Sequence, residues 1–135
     1  MTGVAEPRED PLQLLNLIAQ EIFDKKGFNI LGLDVRDIST LTDFFIIAEG
    51  NVDRHVRAIA EAIIETLKAR GNRPIHVEGL QDGDWVVIDY MEVVIHLFMP
   101  GMREKYRLEE LWHEGKIVDL TILLLEKSRP LEKYQ

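Results

Sequence analysis

The side chains best suited to chemistry in this sequence are a carboxylate and an imidazole seven residues apart, Asp89 and His96, and two carboxylates that straddle a glycine, Asp82 and Asp84. An acid bonded to an imidazole orients a general base, and neighbouring carboxylates can hold a magnesium ion as nucleotidyltransferases do. Each pattern also has a structural reading: an interface or packing pair for Asp89 and His96, and simple turn chemistry for Asp82-Gly83-Asp84. No serine or cysteine stands beside the acid and imidazole in a recognisable arrangement, so the pair lacks the reacting group that nucleophilic catalysis requires. The four histidines, His55, His76, His96 and His113, lie about twenty residues apart, without the short-spaced pair from which metal sites are usually built. The absence of cysteine excludes thiolate catalysis, a disulfide framework and cysteine-bound zinc. No glycine-rich phosphate loop precedes a helix, and no metal or other cofactor is expected.

Asp89 and His96 belong to a stretch, residues 83–98, whose two apolar runs can close into a hairpin. With Met91 and Glu92 as its loop, Tyr90 faces Val93, Val87 faces His96 and Trp85 faces Phe98. One face then reads Val86, Ile88, Tyr90, Val93, Ile95, Leu97, which suits a core. The other carries Trp85, Val87, Asp89, Val94, His96 and Phe98, with an aromatic pair across the strands and a carboxylate diagonal to an imidazole, which suits a partner. Trp85 is of the residue type most enriched at binding hot spots; its alternative is a core aromatic covered by the last helix. Tyr90 and Met91 fall at the hairpin tip, where an exposed aromatic and a flexible thioether fit a neighbouring surface.

The elements that position this hairpin follow from periodicity and caps. Asp10 as N-cap, Pro11 in the first turn and Gln13 three residues after the cap start a helix whose stripe is Leu15, Ile18, Ala19 and Ile22, with Gly27 as a left-handed stop. Residues 30–35 and 44–48 read as strands, the second short and apolar enough to be buried. Val56, Ile59, Ala60, Ile63, Ile64 and Leu67 keep helical spacing across residues 51–70, with Asn51 or Asp53 as the cap. Residues 74–78 make a short strand. A last helix is expected over residues 103–113 with Leu108, Leu111 and Trp112 inward, where Arg103, Tyr106 and Glu109 fix the helix to the sheet or extend the contact patch. The order predicts an α/β fold, a mixed five-stranded sheet flanked by helices. Residues 117–125 are apolar and fit either strand or helix, and the tail over 127–135 is expected to be loose.

The chain has 135 residues, 46% of them hydrophobic and 30% charged, which is one domain able to bury roughly two-thirds of its unfolded surface. No run approaches the roughly 20 apolar residues of a membrane helix, and residues 1–10 lack the pattern of a secretory signal. They read as a mobile arm, with the cytoplasm as default address. A net charge of -8 repels nucleic-acid phosphates and favours a basic protein surface, so naked nucleic acid and membrane are not expected partners.

Taken in order, Asp34-Val35, Thr42-Asp43-Phe44-Phe45-Ile46-Ile47, Val77-Glu78-Gly79, Trp85-x3-Asp89-Tyr90, Val94-x-His96-x-Phe98 and Arg103-x2-Tyr106-x-Leu108-Glu109-x-Leu111-Trp112 resemble the ribosomal silencing factor family, the Iojap-like proteins, over about residues 12–119. The resemblance implies a small cytoplasmic factor that binds the large ribosomal subunit through its fourteenth ribosomal protein and blocks joining of the small subunit, lowering translation when nutrients are short. It also implies a fold similar to the nucleotidyltransferases without their chemistry. The corresponding division is an arm at 1–10, the family domain at 11–119 and an extension at 120–135. The partner-binding residues are then Trp85, Asp89, Tyr90, Met91, His96, Phe98, Arg103 and Tyr106, with Asp89 and nearby carboxylates meeting Arg or Lys of the partner. Two positions depart from the family. Met91 stands where a small turn residue, commonly Gly, is usual, so a turn with positive φ is strained there. Val52 stands where Ser is frequent, which bears on the helix cap. The competing readings are a magnesium-dependent nucleotidyltransferase using Asp82 and Asp84, and a homodimer of the free chain through the hairpin or Leu123-Leu124-Leu125.

Overall fold

Asp10 caps the first helix as the sequence predicts. Its Oδ1 accepts the Leu12 N–H at 3.0 Å and Pro11 fills the first position of α1 (Pro11–Asp24), which buries Leu14, Leu15, Ile18, Ala19 and Ile22. The structure, a computed structural model, describes residues 10–102 and 115–122. The helix stop differs from expectation. Lys26, with φ 67°, takes the left-handed position, while the Gly27 N–H donates to the Ile22 carbonyl at 2.8 Å and that of Lys26 to Phe23 at 2.9 Å. This is the paired closure of a Schellman motif. Gly27 serves by its size: a Cβ there would lie 2.5 Å from Ile22 Cγ2.

Strand β1 (Phe28–Asp34) starts with a bulge, where Asn29 at φ 52° shifts the register against β2 (Phe44–Glu49). Every residue of β2 is buried, as a central strand requires. α2 (Asp53–Ala69) buries Val56, Ile59, Ala60, Ile63 and Leu67. Neither Asn51 nor Asp53 is its N-cap; Val52 is, and it supplies no side-chain bond. His55 substitutes: its Nδ1 accepts the Asn51 N–H at 2.9 Å, and its Nε2 donates to the Lys25 carbonyl at 2.7 Å. One ring thus joins the start of α2 to the end of α1.

Three further strands, β3 (His76–Glu78), β4 (Trp85–Asp89) and β5 (Val93–Phe98), are joined by a sixth, β6 (Lys116–Val118). Among the described residues the sheet is six-stranded, not five-stranded, in the order β3-β4-β5-β2-β1-β6. Among the described strands only β2 and β5 run parallel; the other neighbouring pairs are antiparallel. β6 opens the apolar run at 117–125 that fitted either strand or helix; three residues give no period to decide between them, and the strand exists by pairing Ile117 with Leu33 along the edge of β1. After it, Leu120 and Ile122 pack against the main core, and the Thr121 N–H donates to Asn16 Oδ1 at 2.9 Å.

The sheet has two unlike faces. α1 and α2 cover one of them, burying Val86, Ile88, Tyr90, Val93, Ile95 and Leu97 of the hairpin. On the other face Leu33, Val35, Phe45, Ile47 and Phe98 form a second cluster, edged by Trp85, Val94 and Met102. The helix expected at 103–113, with Arg103 and Tyr106, lies outside the described residues.

Candidate functional site

The β4–β5 hairpin has the register that alternation predicts, with Trp85 opposite Phe98, Val87 opposite His96 and Asp89 opposite Val94. Trp85 is half-buried at its open end. The backbone beneath it is fixed from two sides: Asp84 Oδ1 accepts the Trp85 N–H at 2.9 Å, and Gly79 passes so close that a Cβ there would lie 2.0 Å from the Trp85 carbonyl oxygen. Only glycine permits that crossing, and its φ of +80° independently excludes a side chain. The following turn is held by Arg57, whose Nη1 donates to the carbonyls of Gln81 and Asp82, each at 3.2 Å.

The indole of Trp85 rests on an aromatic floor. Its ring centroid lies 5.2 Å from Phe98 and 6.0 Å from His96, and His96 in turn lies 5.0 Å from Phe45. Trp85 Nε1–H donates to His96 Nδ1 at 3.1 Å. His96 is 8% exposed, and burial pulls its pKa down to about 4. The ring is therefore neutral at physiological pH, with Nδ1 a fixed acceptor.

That bond displaces the expected pairing of Asp89 with His96. Asp89 Oδ1 instead accepts the Met91 N–H at 2.8 Å, satisfying a donor of the tight turn. The indole, longer than a carboxylate arm, reaches the imidazole from the other diagonal. The arrangement that would orient a general base is not formed, and His96 acts as a support for Trp85.

Several expected contact residues take other places. Tyr90 is not an exposed tip residue: it is 3% exposed in the main core, its hydroxyl has no hydrogen-bond partner among the described residues, and burial pushes its pKa up to about 12. The same period of two that put it on the core face in the sequence decides this. Phe98 and His96 are buried as well, so the anchor expected from them is a floor rather than a surface. The surface presents Trp85 in part, Asp89 and the exposed Met91. Met91 has φ 74°, and the Glu92 N–H donates to the Tyr90 carbonyl at 2.9 Å, which makes Met91 the centre of a γ-turn of the rarer, strained hand. Arg103 and Tyr106 lie outside the described residues.

Asp82 and Asp84 serve the turn, Asp84 through its carboxylate and Asp82 through its carbonyl. Among the described residues, no three His, Asp or Glu side chains are grouped to hold a metal ion. Sequence reasoning missed Phe45, Gly79 and Arg57 as site supports. Gly79 carried a signal, a glycine between a short strand and a turn, whereas Arg57 contacts carbonyls 24 and 25 residues away that no local pattern reveals.

The model of the family described as ribosomal silencing factor during starvation matches residues 8–134. The chain belongs to this family. It is 36% identical over 107 residues to the ribosomal silencing factor of Bacillus subtilis, an alignment covering 79% of this chain and 91% of that protein. It is 33% identical over 102 residues to mouse mitochondrial assembly of ribosomal large subunit protein 1, covering 73% of this chain and 43% of the mouse protein. Among solved structures, a protein from Chromobacterium violaceum matches with a TM-score of 0.76 and 30% identity over 85% of this chain and 95% of that one. In this member of the family the half-buried tryptophan, its imidazole support and the strained turn lie on one hairpin.

Proposed function

We propose that this chain binds the large ribosomal subunit through its fourteenth ribosomal protein and, by occupying that surface, sterically blocks joining of the small subunit. Membership of the ribosomal silencing factor family over nearly the whole chain is the observation that carries the reading. The mouse relative, whose name refers to assembly of the ribosomal large subunit, supports the choice of subunit.

The mechanism is occupancy, so it asks for a rigid surface rather than for reacting groups. Trp85 supplies the anchor, oriented by His96 and floored by Phe98, while Asp89 and Met91 extend the contact toward the turn. Tyr90 contributes from below, by filling the core under the turn. Arg103 and Tyr106 complete the patch in this reading. The charge of -8 steers the chain toward a basic ribosomal protein and away from exposed RNA, and it works against pairing with a second copy. The compartment proposed for this role is the cytoplasm.

The test is co-sedimentation with purified large subunits, followed by subunit joining after small subunits are added. The native chain is expected to travel with the large subunit and to lower the yield of joined ribosomes. Trp85→Ala, verified as folded by circular dichroism, should do neither. A native chain that stays in the supernatant removes the reading.

A further inference from the structure

We infer that Arg57 is a positioning residue for Trp85: its guanidinium clasps the loop over residues 79–84 to the first turns of α2, and the orientation of the indole depends on that clasp. The consequence for affinity rests on the proposed binding to the large ribosomal subunit, since an anchor that must be ordered on binding binds less tightly. The positioning itself rests on geometry alone.

Gly83 is the buried foot of this loop, while Gln81, Asp82 and Asp84 around it are exposed. It lies so close to α2 that a Cβ there would stand 2.6 Å from the Asp53 carbonyl oxygen and 2.8 Å from Arg57 Nη1. Leu80 packs against the main core, whereas residues 81–84 bring no apolar side chain to hold the approach. Asp84 passes the position of the loop on to the hairpin, its carboxylate on the Trp85 N–H at 2.9 Å and its carbonyl accepting the Met99 N–H at 3.0 Å. A shift of the loop is therefore a shift of the backbone from which the indole springs.

Arg57 supplies what the loop lacks. Its Nη1 donates to the Gln81 and Asp82 carbonyls, each at 3.2 Å, and Asp53 Oδ2, four residues earlier on the helix, lies 3.4 Å away and aims the guanidinium. That ion pair is half exposed and stabilises little by itself, so its use is in direction. A charge-assisted hydrogen bond is roughly twice as strong as a neutral one, and two of them from one side chain fix both the place and the tilt of the Asp82 peptide. At the far end of the side chain, the bond from Trp85 Nε1–H to His96 Nδ1 spans 3.1 Å and weakens steeply when its angle is lost. Drift of the loop moves the near end of Trp85 and opens that bond.

Charge separates positioning from direct contact. The proposed partner surface is basic, so a cation touching it would be repelled, and removing that cation from an acidic chain would favour the encounter. Weaker binding after loss of Arg57 must then come from faster dissociation of a less well held anchor.

The experiment follows hydrogen exchange of the Trp85 indole Nε1–H by nuclear magnetic resonance in the full-length native chain, Arg57→Met and Arg57→Lys, the resonance being identified by its loss in Trp85→Phe. Rates of association with and dissociation from purified large subunits are measured in parallel. Methionine keeps the aliphatic stem and removes the donors; lysine restores a charged donor. Arg57→Met is expected to exchange the indole proton about tenfold faster and to leave the subunit about tenfold faster, with an undiminished association rate, and Arg57→Lys should recover most of both. Exchange at the Ile46 amide, in buried β2, should not change. Indole exchange that is identical in the native chain and Arg57→Met overturns the inference even where binding weakens, because Arg57 then acts by touching the partner. Equal acceleration at Ile46 also overturns it, since Arg57 would then support the fold as a whole. If the native chain does not bind the subunit, the ribosomal reading falls, and faster indole exchange in Arg57→Met still upholds the positioning.

Discussion

Replacing His96 by phenylalanine should make the fold less sensitive to acid, because His96 is the group whose protonation the native packing resists most clearly. In the folded chain its pKa is about 4, against 6.5 in the unfolded chain, and the cause is burial. The unfolded state therefore binds the extra proton first. The stability associated with neutral His96 is fully present above pH 6.5, falls as pH drops, and is exhausted near pH 4. At about 1.4 kcal/mol per pH unit, the whole window is worth roughly 3 kcal/mol, and at pH 4.5 roughly 2–3 kcal/mol has gone. His96→Phe keeps a ring against Phe45 and Phe98 but removes both the titration and the acceptor for the Trp85 indole. Its cost at pH 7 is about 1 kcal/mol, the net value of one hydrogen bond whose half-buried donor is left to water. Urea unfolding followed by circular dichroism, for both chains at pH 7 and pH 4.5, separates the two effects. Acid also weakens carboxylate contributions such as that of Asp34, whose pKa the hydrogen-bonded Arg36 holds low, but these are common to both chains and cancel in the comparison. The variant should lose roughly 2 kcal/mol less than the native chain between the two pH values. An identical loss in both would refute the assignment of His96 as a neutral buried acceptor.

Gly79→Ala should cost about 3 kcal/mol or more, because backbone oxygen rather than a flexible side chain opposes the added Cβ; a denaturation midpoint near that of the native chain would contradict the crossing described for Trp85. His55→Ala removes two hydrogen bonds that join α1 to α2 and should lower stability by about 1–2 kcal/mol, with faster amide exchange at Asn51 as its local signature. Val52→Ser places a cap side chain on an N-cap whose backbone is already extended, at φ -143° and ψ 171°, and should raise stability by about 1 kcal/mol; no rise in melting temperature would mean that the His55 bond already saturates the helix start.

The hairpin register was legible because alternation leaves one choice: slipping Val86, Ile88 and Tyr90 by a residue would put charged Asp89 in the core. The two helices were legible for the same reason at their own period, and Asp10-Pro11 fixed the start of the first. What the sequence concealed depends on distance. The run that begins at Ile117 was visible as apolar but fitted strand or helix equally, and it is the pairing of β6 with β1 that decides for a strand. The support of the site was hidden likewise. Asp89 and His96 lie on one face at a plausible spacing, yet which of two diagonal neighbours bonds the imidazole is decided by reach and by the turn's need for an acceptor. Tyr90 shows a conflict already present in the pattern: its position at a tip suggested exposure, its parity required burial, and parity won because the core beneath the turn must be filled.

The arrangement of supports suits inhibition by occupancy. A surface that excludes a large particle must bind without first ordering itself, since every rotamer fixed on binding costs affinity. Trp85 meets that requirement through three restraints: a ring floor, a hydrogen bond to a neutral acceptor, and a backbone fixed by Gly79 and Asp84. β5, the other strand of the hairpin, pairs with buried β2 at the centre of the sheet, so the hairpin cannot tilt without breaking the only parallel ladder among the described strands. The turn at its far end is equally constrained, with the Asp89 carboxylate on the Met91 N–H and the β1–β2 loop bonded to the Glu92 carbonyl. Rigidity at both ends of one hairpin makes the partner's fit an all-or-none matter of shape. If the proposed binding holds, truncating Trp85 or Met91 should act mainly on the dissociation rate, because neither substitution changes the net charge proposed to steer the encounter.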